Sequence, residues 1–512
     1  DFALDTRLAI PLIYGIDAVH GHNNVYGATI FPHNIGLGCS NDEELVQKIS
    51  EATAREILAT GLDWTFAPCL AVSQDERWGR TFESYSEDTE IVTRLGIASI
   101  KGYQGNNLDN PNSVLACAKH YVGDGSTIFG TGINGGIDRG DVLVDEKELR
   151  SKYIEPFRSA VENGVGSIMI SYNSWQSKRL HGHSYLINDI LKKELGFSGF
   201  VVSDWAAIDD IDEDYKTSII TAINAGIDMV MVPGEHSKKS HSYIEFINLL
   251  KKSVLEGSVS INRIDDAVYR ILKIKYSMGL FEKPLKDYKK LKEVGSSRNR
   301  ELAREGVNKS VVLLQNKNIL PISKNIKSIL VAGEHGHDLG YQCGGWSISW
   351  QGGSGNTTIG TTILDGIRDN IGNHSSVSFS KNGDGANDHD IIIAVVGETP
   401  YAEMKGDRES LELSNKDKIL IQRLIKTEKP IVLILISGRP MIITPYLEHV
   451  DAVFAAWLPG TEGTGIADLL FGDVSPTAKL SFSWPRDMNQ IPINYGDKTY
   501  DPLFPLGYGL TY

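Results

Sequence analysis

Cysteine is scarce in this chain of 512 residues, and the four present (Cys39, Cys69, Cys117, Cys343) show no C-x-x-C spacing. That excludes a zinc ribbon or a disulfide framework as the organising principle. Positive charge is also short: 51 Lys and Arg against 65 Asp and Glu give a formal net charge of −14. A balance of that sign opposes nucleic acid and anionic membrane as partners, and it suits a neutral ligand. Apolar runs such as Ile431 to Ile436 have the length of a strand, far from the ~20 residues of a membrane-spanning helix. Internal repeats and low-complexity tracts are lacking too. No secretory leader is read, but Asp1-Phe-Ala-Leu lies within ten residues of the first expected strand, so the chain reads as trimmed at its start. Sequons at Asn308, Asn356 and Asn373 would permit N-glycosylation in a secretory lumen.

What is present is material for two cores, with 41% hydrophobic residues over a length that exceeds one ordinary domain. Strand-like runs at 9–16, 63–69, 114–120, 167–172, 199–204 and 228–233 alternate with helical patterns such as 41–60, 145–163 and 261–278. This β-then-α rhythm predicts an α/β fold, with a TIM-like (β/α) barrel over 1–282. Residues 283–299 are Lys- and Ser-rich without apolar period and read as a linker. A second rhythm, with strands near 328–333, 391–397, 431–438 and 452–457, predicts an α/β sandwich with a mostly parallel sheet over 300–512.

Several of these runs end on chemistry. Gly199-Phe-Val-Val-Ser-Asp204-Trp205 delivers an acid and an indole where the run stops being apolar. Runs ending at Asp17, at Lys119-His120 and at Tyr172 do the same, as an active site on one rim of a barrel requires. A lone Asp204 would serve equally well as a helix cap; its company favours a site. His20-Gly-His22, with Lys119 and Asp204 at later strand ends, also admits a metal-dependent amidohydrolase. That alternative leaves the second domain unexplained, and hydrogen-bonded packing of the two histidines is the preferred reading.

The ordered strings Tyr14-Gly-Ile-Asp17-Ala-Val-His-Gly-His, Asp75-Glu-Arg-Trp-Gly-Arg80-Thr-Phe-Glu83, Lys119-His120, Ser203-Asp204-Trp205 and Gly397-Glu-Thr-Pro-Tyr-Ala-Glu403-Met-Lys-Gly-Asp407 resemble the family 3 glycoside hydrolases, in particular two-domain β-D-glucan exohydrolases and β-glucosidases. The resemblance runs through the whole chain to Leu506-Gly-Tyr-Gly-Leu510. It implies a retaining, exo-acting β-glucosidase or β-glucan exohydrolase needing no cofactor or metal, with a β-glucoside or oligosaccharide as substrate. It further implies a secreted, periplasmic or lysosomal setting.

By the same resemblance Asp204 is the nucleophile and Glu403 the acid/base, the two carboxylates that a retaining glycosidase requires. The residues alone leave Glu398 and Glu403 tied. Asp17, Arg80, Lys119 and His120 match the positions that hold sugar hydroxyls, and Tyr172 matches a neighbour of the nucleophile. Trp205, Trp346 and Trp350 match indoles around the next sugar, Trp350 corresponding to the clamping residue. Members acting on N-acetylglucosamine carry K-H-F-P-G-[HD]-G and a following His; here Val122 stands at the Pro position and no such His follows, so that acid is lacking. β-Xylosides stay open as substrates, because the space around a hydroxymethyl group is not written in the sequence.

Overall fold

The computed structural model describes residues 2–234, 241–285, 288–372 and 374–512. Asp1, residues 286 and 287 of the expected linker, and the sequon Asn373 lie outside the described residues.

In the first half β1 (Gly15–Ile16) pairs in parallel with β2 (Trp64–Thr65), and a parallel bridge from Trp64 to Leu115 leads on to β3 (Cys117–Tyr121). A loop strand, β4 (Asp141–Val142), stands apart, and β5 (Ser167–Ile170) returns beside β3. A hairpin of β6 (Ser174–Trp175) and β7 (Lys178–Arg179) completes a small sheet with β4, and β8 (Phe200–Val202) pairs with β5. A last parallel bridge joins Val202 to Met229. Because strands of the main series are parallel and follow chain order, their C-terminal ends all open on one side. Helices such as Glu43–Ala59, Thr89–Gln104 and Tyr215–Ala225, each begun by an Asp cap, return the chain between them.

Two expected strands are much reduced. Over 9–16 only the two residues of β1 pair, since Ala9 is left-handed (φ 47°) and Pro11 has no N–H to give. Over 228–233 only the bridge at Met229 remains; the Asp228 carboxylate instead accepts the Val201 N–H at 2.9 Å and pairs with Lys192 at 2.8 Å.

The second sheet comprises β9 (Val312–Asn316), β10 (Ser328–Ala332), β11 (Ser376–Ser380), β12 (Ile391–Gly397), β13 (Ile431–Ile436) and β14 (Ala452–Trp457), in the order β11-β10-β12-β13-β14-β9. β9 runs antiparallel to β14, so the sheet is mixed, which corrects the expected mostly parallel one. The reason is local: β9 follows the helix Ser297–Ser310 after a single residue and reaches the β14 edge without the crossover that a parallel pairing requires. Every residue of β12, β13 and β14 is buried, consistent with cover on both faces. The sequon at Asn308 is also corrected: it is buried in that helix, and its amide donates to Asp468 at 3.1 Å.

The two halves share one interface. Ile35, Cys39 and Phe82 of the first half are buried within the core of the second. Arg439, fully buried, donates to the carbonyls of Arg77 (2.9 Å) and Glu76 (3.2 Å) across that interface. Glu56, buried in the helix Glu43–Ala59, accepts from Thr29 N (3.0 Å), Gly295 N (3.0 Å) and Asn299 Nδ2 (2.7 Å), fastening the segment between the halves to the first of them.

Candidate active site

A cavity of about 350 Å³ opens where the strand ends of the first half meet loops of the second. Asp17 follows β1, Lys119 and His120 lie on β3, and Asp204 with Trp205 follows β8. Arg80 comes from the loop after β2, Trp346 and Trp350 from a Gly-rich loop of the second half, and Glu403 from the loop after β12. Nine of the ten expected site residues therefore line one cavity. Tyr172 stands just outside it; its hydroxyl donates to the Trp205 carbonyl at 2.6 Å and so fixes the backbone that carries that indole.

Charge organises the cavity. Arg80, nearly buried, forks onto Glu83 (2.9 and 2.8 Å), donates to His120 Nε2 at 3.2 Å and lies 3.6 Å from Glu403. Because His120 Nε2 accepts that bond, its Nδ1 carries the proton and donates to Asp124 at 2.8 Å. Burial, then the positive charges of Arg80 and Lys119, hold this imidazole neutral, well below its ordinary pKa. Lys119 Nζ approaches Asp17 at 3.4 Å and the Trp346 ring at 5.6 Å. Burial raises the Asp17 carboxyl, with Lys119 opposing.

Asp204 accepts from the Trp205 N–H at 2.6 Å, while its own N–H donates to His181 Nε2 at 3.0 Å. The His181 imidazole is pushed down to about 3 by burial, aided by Arg179 and Arg139, so it is a neutral acceptor. The Asp204 carboxyl is pushed up to about 6, first by burial and then by the charge of Glu403, against the pull of Arg80 and Arg139. The neighbouring cations alone would depress this value; desolvation outweighs them.

The tie between Glu398 and Glu403 is broken by partners. Glu398 is spoken for by Arg408 (2.9 Å), Arg439 (3.2 Å) and the Tyr401 hydroxyl (2.8 Å), which together hold its carboxyl below the usual range, and it does not line the cavity. Glu403 faces the cavity with its backbone left-handed (φ 54°), a conformation that costs on the order of 1 kcal/mol or more and persists only where surroundings impose it. Its Oε2 accepts from Arg139 Nη2 at 2.9 Å.

Arg139 is the main residue that sequence reasoning missed. It reaches Glu403, packs 3.8 Å over the Tyr172 ring and lines the cavity. It comes from an irregular loop with its own backbone at φ 60°, so no strand end marked it. The only signal was a charged pair, Asp138-Arg139, inside Gly-rich sequence. Phe66, Met169 and Met231 supply an apolar wall that polar motifs cannot reveal. At the mouth Trp205 and Trp350 are 55% and 42% exposed, whereas Trp346 turns inward and donates to Glu83 at 3.1 Å. Two indoles are thus free to meet a ligand, and the third is wall.

His20 and His22 do not converge on the cavity. His20 spends both ring nitrogens on the Phe31 carbonyl (3.0 Å) and Ser347 (3.1 Å), and His22 bonds Thr60 at 2.8 Å. Among the described residues one trio, Cys69, His120 and Asp124, brings possible ligand atoms within 4.8 Å of one another. Burial raises the Cys69 thiol well above its usual range, and His120 and Asp124 already bond each other. Treatment with EDTA is accordingly expected to leave turnover unchanged; loss of activity restored by zinc or manganese would revive the metal reading.

Residues 2–274 match the Glycosyl hydrolase family 3 N terminal domain, and residues 311–512 match the Glycosyl hydrolase family 3 C-terminal domain. The chain belongs to glycosyl hydrolase family 3. Among its family 3 relatives, the lysosomal beta glucosidase of Dictyostelium discoideum is 34% identical over 98% of this chain, which spans 65% of that protein's length. The beta-xylosidase of Formosa agariphila is 35% identical over the full chain and 76% of its own length. A mutant of the exo-1,3/1,4-beta-glucanase ExoP from a Pseudoalteromonas species superposes with a TM-score of 0.93 at 43% identity, covering 99% of this chain and 84% of that one. No helix among the described residues is long and apolar enough to cross a membrane.

Proposed function

We propose that the chain is a retaining, exo-acting β-glucosidase or β-glucan exohydrolase, releasing glucose from the non-reducing end of β-glucosides through a covalent glycosyl-enzyme on Asp204, with Glu403 as acid/base. The observation that carries this reading is the meeting of Asp204 and Glu403, from different halves of the chain, in one cavity of about 350 Å³. Asp17, Lys119 and Arg80 supply bidentate and charged partners for hydroxyls, as a pyranose rim requires, and the neutral His120 lines the cavity beside them. Trp205 and Trp350 offer flat faces at the mouth for the next residue. The run of chain-order parallel strands supports a TIM-like barrel over 1–282, a linker over 283–299 and a second domain over 300–512. The relatives' names support a glucoside or β-glucan oligosaccharide as substrate and a secreted, periplasmic or lysosomal setting.

The chemistry runs in two steps. Asp204 attacks the anomeric carbon as Glu403 gives a proton to the departing oxygen; water, deprotonated by the same Glu403, then cleaves the ester with net retention. NMR of the first-formed product tests this, with β-glucose expected and α-glucose fatal to it. A xyloside-cleaving reading is supported by the Formosa relative, and kcat/KM for matched aryl β-glucosides and β-xylosides decides between the two.

The pH profile follows from the site. Asp204 attacks only when ionised, so kcat/KM is expected to fall as pH drops through about 6, the value to which burial and Glu403 raise this carboxyl. Glu403→Gln removes one of those raising charges. The residual acid limb, read with an activated aryl glucoside, is then expected to move to lower pH; an unmoved limb would assign it to another group.

A further inference from the structure

The chain places a second acid, Asp407, four residues after Glu403, and it does not line the cavity. Its carboxylate nevertheless crosses to the first half of the molecule. Oδ1 accepts the Gly79 N–H at 2.8 Å, and Oδ2 accepts those of Ile137 and Asp138, each at 2.8 Å. Three backbone donors on one carboxylate make a shape-specific socket. The socket tolerates no added bulk: a Cβ on Gly136 would sit 2.3 Å from Asp407 Oδ2, and one on Gly79 would sit 1.9 Å from the Glu403 carbonyl.

The amides that Asp407 holds have neighbours that matter. Gly79 precedes Arg80, whose Nη1 lies 3.6 Å from Glu403 Oε1. Asp138 precedes Arg139, whose Nη2 lies 2.9 Å from Glu403 Oε2. Each oxygen of the acid thus meets a guanidinium whose adjacent amide is bound four residues further along the acid's own loop. The ring of contacts closes from Glu403 through both arginines to Asp407 and back along the loop. Gln351 grips the other side of Glu403 by bonding Ala402 N (3.0 Å) and O (3.1 Å), but from within the same half. The Arg408 N–H also ties the loop to the Arg80 segment, donating to the Arg77 carbonyl at 3.1 Å, but the Asp407 carboxylate registers the loop against both arginine segments at once.

We propose that Asp407 is a positioning residue: it indexes the loop of the second domain onto the Arg80 and Arg139 segments of the first, so that Glu403 stands where it can protonate the leaving group. The proposal rests on the reading of Glu403 as the acid. Docking of the halves does not depend on Asp407, because Arg439 and the Ser483 hydroxyl, which bonds Glu87 at 2.7 Å, cross the same interface independently. Its loss is therefore a local disturbance of one carboxylate.

The test uses the full chain with Asp407→Ala, Gly136→Ala, Glu403→Ala and the double variant Glu403→Ala/Asp407→Ala. Asp407→Ala and Gly136→Ala are expected to lower kcat on laminaribiose by about 10- to 100-fold while lowering it only a few fold on 2,4-dinitrophenyl β-glucoside, whose leaving group needs little protonation. Because Asp407 acts through Glu403, the double variant is expected to be no slower than Glu403→Ala alone. Equal losses on both substrates, or losses that multiply in the double variant, would overturn the proposal by showing a general structural role. Failure of both Asp407→Ala and Gly136→Ala to fold would overturn it as well, making the socket a folding element. A Glu403→Ala enzyme without leaving-group dependence would instead bring down the assignment of the acid.

Discussion

Asp204→Asn is expected to lose turnover of aryl glucosides on the order of 10⁴-fold or more, since the amide cannot form the glycosyl-enzyme. The same change is expected to make the protein more stable. An acid whose pKa rises on folding, from its ordinary 3.8 to about 6 here, binds its proton more tightly in the folded state than in the unfolded one. Stability from this group is present below the unfolded value and is lost as pH climbs through the folded one, so at neutral pH the ionised Asp204 is a burden of on the order of 1–3 kcal/mol. The neutral amide carries no such burden. Thermal unfolding at pH 7 should therefore move up by a few degrees, and the gain should vanish near pH 4; an unchanged or lowered Tm at pH 7 would mean that Arg80 and Arg139 already compensate the charge. Covalent labelling of wild-type Asp204 by a 2-fluoro glucoside checks the chemical half of the expectation, and labelling elsewhere would end the assignment.

Glu403→Ala should separate substrates by their leaving groups. Protonation of the departing oxygen contributes roughly 10²–10⁴-fold for poor leaving groups and little for activated ones. Laminaribiose hydrolysis is thus expected to collapse while dinitrophenyl glucoside still forms the glycosyl-enzyme, which then accumulates for want of a base. Azide, an anion that needs no deprotonation, should restore turnover and yield a glucosyl azide. Uniform loss without azide rescue would remove Glu403 from the machinery while leaving Asp204 in place. The variant also frees Arg139 from its 2.9 Å partner, so part of any loss in substrate affinity belongs to that guanidinium.

What the sequence made legible is what strand ends dictate. Asp17, Lys119, His120 and Asp204 stand at the ends of apolar runs, and parallel order alone brings them to one rim. Glu403 was legible only with the family pattern in hand, because Glu398 has the same composition around it; the two differ in which arginines fold against them, a long-range fact. Arg139 lies in a loop without periodicity and in a left-handed backbone, so nothing local distinguished it from a solvated charge. β9 illustrates the same limit for the fold. It lies outside the strands expected from the sequence, and its direction depends on an edge that forms more than a hundred residues later, at β14. Met169, Met231 and Phe66 show it for the cavity, since an apolar wall and an apolar core are written with the same letters.

Glu56 sets a limit on how the enzyme handles its product. Its carboxylate pins Gly295 and Asn299 to the first half, and a Cβ on Gly295 would lie 2.1 Å from the Gly27 carbonyl. The strap between the halves is consequently anchored at the place where a hinge would have to bend. A molecule so fastened works as a fixed socket, not a pair of jaws. On the proposed reaction, a glucan still held between Trp205 and Trp350 would stand in the way of glucose leaving by that mouth, so release of the polymer would precede release of the sugar on that side.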